Sequence, residues 1–147
     1  MVHLHSSLRY LILIFLVITV INATKKWLKK EDNFTSMDDK FNLITFILCH
    51  IQLLVGAVLV FTTDRLSSVE GMGDIMGNGI LRFFFVEHIF MMIIAIVLIT
   101  VGRISSKKIT DNIARHKRIA ITFGIALLLI LSAIPSFRGI VTSTGWF

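Results

Sequence analysis

One proline and one cysteine stand in a chain of 147 residues. A single thiol excludes a disulfide framework, and Cys49 lies inside an apolar run, where it says nothing about redox compartment. Acidic residues are also scarce, nine against fifteen Lys and Arg. The chain has no phosphate-binding loop and no nucleophile–base motif. It lacks the Cys/His spacing of a closed zinc site. Hydrolase, ATPase and zinc chemistry are therefore not expected, and no catalytic residue is assigned. The glycine-rich stretch EGMGDIMGNG at 70–79 follows no strand, which rejects a dinucleotide fingerprint. It reads as a linker, with a lid over a pocket as the alternative. No basic n-region or small-residue cleavage site accompanies the first apolar run, so no cleavable signal is expected.

What the chain has is apolar length. Hydrophobic residues make up 55% of it, above the usual share of a soluble domain, and the excess calls for a second apolar solvent. Four stretches carry that excess, at about 8–24, 41–61, 80–102 and 117–135. Asp111 is a candidate cap for an earlier start of the fourth. Each stretch approaches the roughly 20 helical residues that cross a bilayer core. Transmembrane β-strands would be half as long and alternating. The expectation is one all-α domain over residues 1–147, an integral membrane four-helix bundle.

Charge sets the orientation. Lys25, Lys26, Lys29, Lys30 and Lys40 lie in the first connection. Arg103, Lys107, Lys108, Arg115, Lys117 and Arg118 lie in the third. Together they hold eleven of the fifteen basic residues. The positive-inside rule then makes these connections cytoplasmic and puts both termini outside. This placement points to a membrane surface and away from nucleic acid. Trp27, Tyr10 and Trp146 fall where interfacial aromatics are expected. The basic residues left on the outer side are all Arg: Arg9, Arg65, Arg82 and Arg138. Their planar forks suit carboxylates such as haem propionates; the alternative is pairing with Asp64, Glu70, Asp74 and Glu87.

Two histidines fall within spans, where an ionisable group is costly and marks a functional candidate. His50 and His88 share a pattern: an aromatic four residues before (Phe46, Phe84), an apolar residue four after (Leu54, Met92), and Ala seven after (Ala57, Ala95). At helical spacing these positions lie on one face. His50 and His88 are thus candidate axial ligands, one from each middle helix, for a haem built into the bundle. Two alternatives stay open. The imidazoles can bond neighbouring helices, through Thr45, Gln52 or Thr100. They can also serve another metal or a proton relay, with Met91 and Met92 keeping copper in view. His3, His5 and His116 are expected near the surfaces. Glu87, beside His88, needs a partner or a proton. It reads as an ion pair with Arg9 or Arg82 tying the first helix to the third, or as a proton acceptor beside a quinol site. Thr45, Cys49, Gln52 and Gly56 form a stripe of small and weakly polar residues, expected to pack closely against another helix.

The segments HLHSSLRY (3–10), HIQLLVG (50–56), RFFFVEH (82–88) and RHKRIA (115–120) resemble those of a family of small four-helix integral membrane proteins of the Bacteroidetes, catalogued as cytochrome b-like. The resemblance runs over the whole chain. It implies a respiratory haem b protein of the bacterial inner membrane, multi-pass, an electron carrier or oxidoreductase subunit more than an enzyme in its own right. It also implies quinone or other respiratory subunits as partners, and it raises His5 as an alternative outer ligand paired with His88. A cofactor-free accessory or assembly subunit of a larger membrane complex remains the alternative.

Overall fold

The computed structural model describes residues 1–63 and 69–134. Asp64, Arg65, Pro135, Arg138 and Trp146 lie outside the described residues. All regular structure among the described residues is helical: α1 (Val2–Leu28), α2 (Ser36–Thr62), α3 (Met72–Gly77), α4 (Gly79–Arg82), a π-helical turn (Phe83–Glu87), α5 (His88–Lys107) and α6 (Asn112–Ser132). Part of the glycine-rich linker is thus the short helix α3. Asn78 caps the next element by accepting from the Ile80 and Leu81 amides.

Three helices are long and apolar enough to cross a membrane: Val2–Leu28, Ser36–Thr62 and the continuous Gly79–Lys107. All three run past the apolar stretches that announce them. Flanking residues such as His3, His5 and Ser36 to Lys40 still gain helical hydrogen bonds, whereas hydropathy registers only the apolar interior. The fourth expected stretch also forms a helix, α6, which starts before residue 117. Arg115, Lys117 and Arg118 occupy its early turns, so its uncharged length is shorter.

α1 packs against α2 and α6, and α5 packs against α6. The α2–α5 interface is the sparsest side of this arrangement. The core runs along the α1–α6–α5 seam, where Leu16, Ala95, Ile99, Ile119, Phe123 and Ala126 are fully or almost fully buried. Gly102 permits the close approach of α5 to α6. A methyl group at that position would stand 2.8 Å from Thr122 Cβ and 3.3 Å from the Phe123 ring. Gly102→Ala is therefore expected to destabilise the fold by about 1–3 kcal/mol, the usual cost of overpacking. Unfolding of the detergent-solubilised protein measures it. Ile14, Ile21, Leu54, Phe90, Val97 and Leu128 point outward, an apolar exterior compatible with contact to a lipid bilayer.

The basic end is tied by polar contacts. Lys30 takes a positive φ of 53°, which ends α1 and lets the Glu31 amide reach back to the Lys26 carbonyl at 2.9 Å. Thr35 and Asp38 form a reciprocal capping box at the start of α2. The Asp38 carboxylate also accepts from Asn22 Nδ2 at 2.6 Å and from Lys26 Nζ at 3.0 and 2.8 Å. His116, expected near the surface, is instead 1% exposed. The 29–35 connection folds over it: its Nε2 donates to the Asn33 carbonyl at 2.7 Å, and Phe34 packs on the ring. Arg115 lies 3.7 Å from the centre of that same Phe34 ring. These contacts put the first and third connections side by side.

Candidate functional site

Because α2 and α5 meet sparsely, a cavity of about 800 Å³ opens at the end of the molecule that carries the N-terminus. Its walls are mostly apolar, with His5, Ser6, Arg9, Gln52, Thr62, Thr63 and His88 as the polar members. Such a composition, a largely apolar hollow with a few convergent polar groups, is that of a ligand site.

His5 reaches the cavity because α1 begins at Val2, which places His5 within the helix. His88 is the first residue of α5 and follows the π-helical turn. The two rings have centroids 6.2 Å apart and planes at 66°. His88 Nδ1 donates to the Ala133 carbonyl at the end of α6, at 3.2 Å. That bond fixes the tautomer and leaves Nε2 as the nitrogen able to bind a ligand. The His5 ring lies against Gly56: a methyl group there would approach His5 Cε1 at 3.2 Å. Gln52 Nε2 donates to the His5 carbonyl at 2.8 Å. The small-residue stripe of α2 thus packs on α1, with Thr45 Oγ1 also 3.2 Å from Thr19 Oγ1. Gly56→Leu is expected to displace the His5 ring and reduce any ligand affinity that depends on it. The cost in folding stability is expected to fall in the usual overpacking range of about 1–3 kcal/mol. Ligand titration and unfolding of the same variant measure the two effects.

Four buried side-chain atoms lack a hydrogen-bond partner among the described residues: His5 Nδ1, Arg9 Nε, Gln52 Oε1 and Arg115 Nε. The first three belong to residues that line this one cavity. Each unmet buried polar atom costs about 1–3 kcal/mol. Their grouping marks a place where a polar ligand would complete the hydrogen bonding.

The other expected site residues lie elsewhere. His50 does not line the cavity, and it is not brought to His88. Its Nδ1 donates to the Phe46 carbonyl at 2.7 Å, and its Nε2 lies 3.3 Å from Thr100 Oγ1. Phe46 stacks on its ring at 4.2 Å. His50 therefore ties α2 to α5, the interhelical role that its position also allowed. The pattern around His88 holds in the structure, since Phe84, His88 and Met92 all line the cavity, whereas His50 faces Thr100 of α5. Arg82 also stands outside the cavity: its Nε donates to Glu87 Oε1 at 3.1 Å and its Nη1 to the Met76 carbonyl at 3.2 Å. Glu87 thus meets Arg82, one of the two partners expected for it. The five-residue spacing of the pair suits the π-helical turn it spans. Gln52, expected as a packing residue, is a polar wall of the cavity; its place one turn from Gly56 on the α1-facing stripe was the available signal.

Among the described residues no group of three or more His, Cys, Asp or Glu side chains is placed to hold a bare metal ion. The fold and this cavity define a helical protein with three membrane-length helices and a histidine-paired hollow at one end. The chain matches no family model, no curated protein and no solved structure.

Proposed function

We propose that the chain is a cytochrome b-like membrane protein, with His5 and His88 as axial ligands of one haem b. The observation that carries this reading is the pair of cavity-lining imidazoles with centroids 6.2 Å apart. Imidazole nitrogens bind first-row metals, so His5 and His88, both lining the cavity, would hold the iron of one haem between them. A porphyrin brings its own four nitrogens, so two protein ligands suffice. The His88 Nδ1 bond to the Ala133 carbonyl supports it, since ligating histidines donate their second N–H to such an acceptor. The cavity, about 800 Å³ and largely apolar, suits a flat macrocycle. Arg9, with its unpartnered Nε, is the residue to hold a propionate.

A bound haem b would supply reversible one-electron chemistry. The protein's part is to fix two imidazoles, exclude water with the surrounding apolar walls, and orient the group toward an electron partner. Quinone and neighbouring respiratory subunits are the partner classes that suit this role.

The same reading takes α6 as a fourth span and puts the protein in the bacterial inner membrane, with both termini outside. Its support is the concentration of eleven basic residues at the end where the first and third connections meet. A cofactor-free accessory subunit is the second reading, favoured by His50 and His116, which both serve as structural hydrogen-bonding groups. The absorbance spectrum separates the two. A Soret band with an α-band that sharpens on dithionite reduction is expected. Purified protein without pigment, even after haem is supplied, would rule out the haem assignment.

A further inference from the structure

At the basic end, a second hollow of about 430 Å³ lies between the α5–α6 connection and the first turns of α6. Ile109, Ala114, Lys117, Arg118, Ile121 and Thr122 line it. Thr122, one of its lining residues, also makes the close approach to Gly102 of α5. The Thr122 hydroxyl donates to the Arg118 carbonyl at 2.7 Å. Lys117 and Arg118 are exposed at its wall, and neither joins an ion pair among the described residues. Lys117 Nζ sits 5.8 Å from the centre of the Trp27 ring. Asp111, the nearest acid in sequence, caps α6 by accepting from the Ile113 amide at 3.2 Å.

The same face of α6 continues as an apolar stripe. Ile121, Ile125 and Leu128 are 43%, 45% and 68% exposed, and their spacing puts them in one row over about 10 Å. We propose that this hollow is a binding site for an anionic phospholipid. Lys117 and Arg118 take the head-group phosphate, the hollow seats the glycerol region, and the stripe carries the acyl chains. An apolar stripe alone would accept any lipid. Two uncompensated cations above it select negative charge, as basic pockets at membrane-facing helix ends do. The inference rests on the membrane part of the proposed function and is independent of haem.

The test is native mass spectrometry of the full chain in micelles, titrated with phosphatidylglycerol and with phosphatidylcholine of identical acyl chains. The first phosphatidylglycerol is expected to bind about 30-fold more tightly. Lys117→Gln with Arg118→Gln should remove that preference. Lys25→Gln with Lys29→Gln, exposed cations elsewhere at the same end, should leave it. Equal affinity for the two lipids would overturn the proposal. An equal loss in the Lys25/Lys29 variant would also overturn it, by showing diffuse surface attraction. Displacement of the lipid by glycerol 3-phosphate at equal concentration would replace it with a soluble-anion site. None of these outcomes depends on pigment.

Discussion

His88→Ala and His5→Ala are each expected to abolish low-spin haem binding, whereas His50→Phe should keep the pigment. In sequence His50 and His88 look alike and His5 lies apart from them, yet the tertiary surroundings group them differently. His5 and His88 line one cavity, with ring centroids 6.2 Å apart. His50 is outside it and is engaged by Phe46 and Thr100. Loss of either imidazole would remove one of the two residues that would hold the haem. The readout is the reduced α-band per mole of folded protein, with folding checked by circular dichroism. His50→Phe removes an interhelical hydrogen bond worth about 0.6 kcal/mol in a membrane setting, so a lower unfolding midpoint with an intact spectrum is expected. Pigment that survives in His5→Ala and disappears in His50→Phe would reverse the assignment and restore the His50–His88 pair.

Asp38→Ala should produce the largest loss of stability among substitutions outside the cavity, about 3–5 kcal/mol. Asp38 is 5% exposed and joins three residues: its carboxylate accepts from the Thr35 amide, Asn22 and Lys26, and its amide donates to the Thr35 hydroxyl. Removing the carboxylate opens the capping box and leaves Lys26, 17% exposed, without its counter-ion. Asp38→Asn keeps an acceptor for the Thr35 amide and loses the charge, so roughly half that cost is expected. Lys26→Met removes the opposite charge while retaining an apolar stem. In a double-mutant cycle, the Asp38→Ala penalty should shrink on that background. Equal penalties on both backgrounds would mean that the helix cap alone accounts for the effect.

Much of the architecture was open to reading along the chain. Long apolar runs bounded by polar connections leave the backbone no better state than helix, and four helices form where four stretches are apolar. The paired basic connections were legible too, because charge position in sequence maps onto helix ends. The small-residue stripe of α2 was readable for the same reason, since Thr45, Cys49, Gln52 and Gly56 must share a face once the helix exists.

The site was legible only in part. Arg9, His5 and His88 stood out as residue types. Their grouping depends on two things that no local pattern carries: how far α1 extends before its apolar run, and which pair of helices packs sparsely enough to leave a hollow. His116 makes the same point from the other end. In RHKR it looks solvated, yet a connection more than eighty residues away covers it.

The sequence by itself determined the helices, their apolar outer surfaces and the end at which positive charge gathers, because these follow from backbone hydrogen bonding and side-chain solvation within each segment. The tertiary structure decided which histidines meet, since that depends on helix rotation and on gaps between helices, which arise only when separate segments pack.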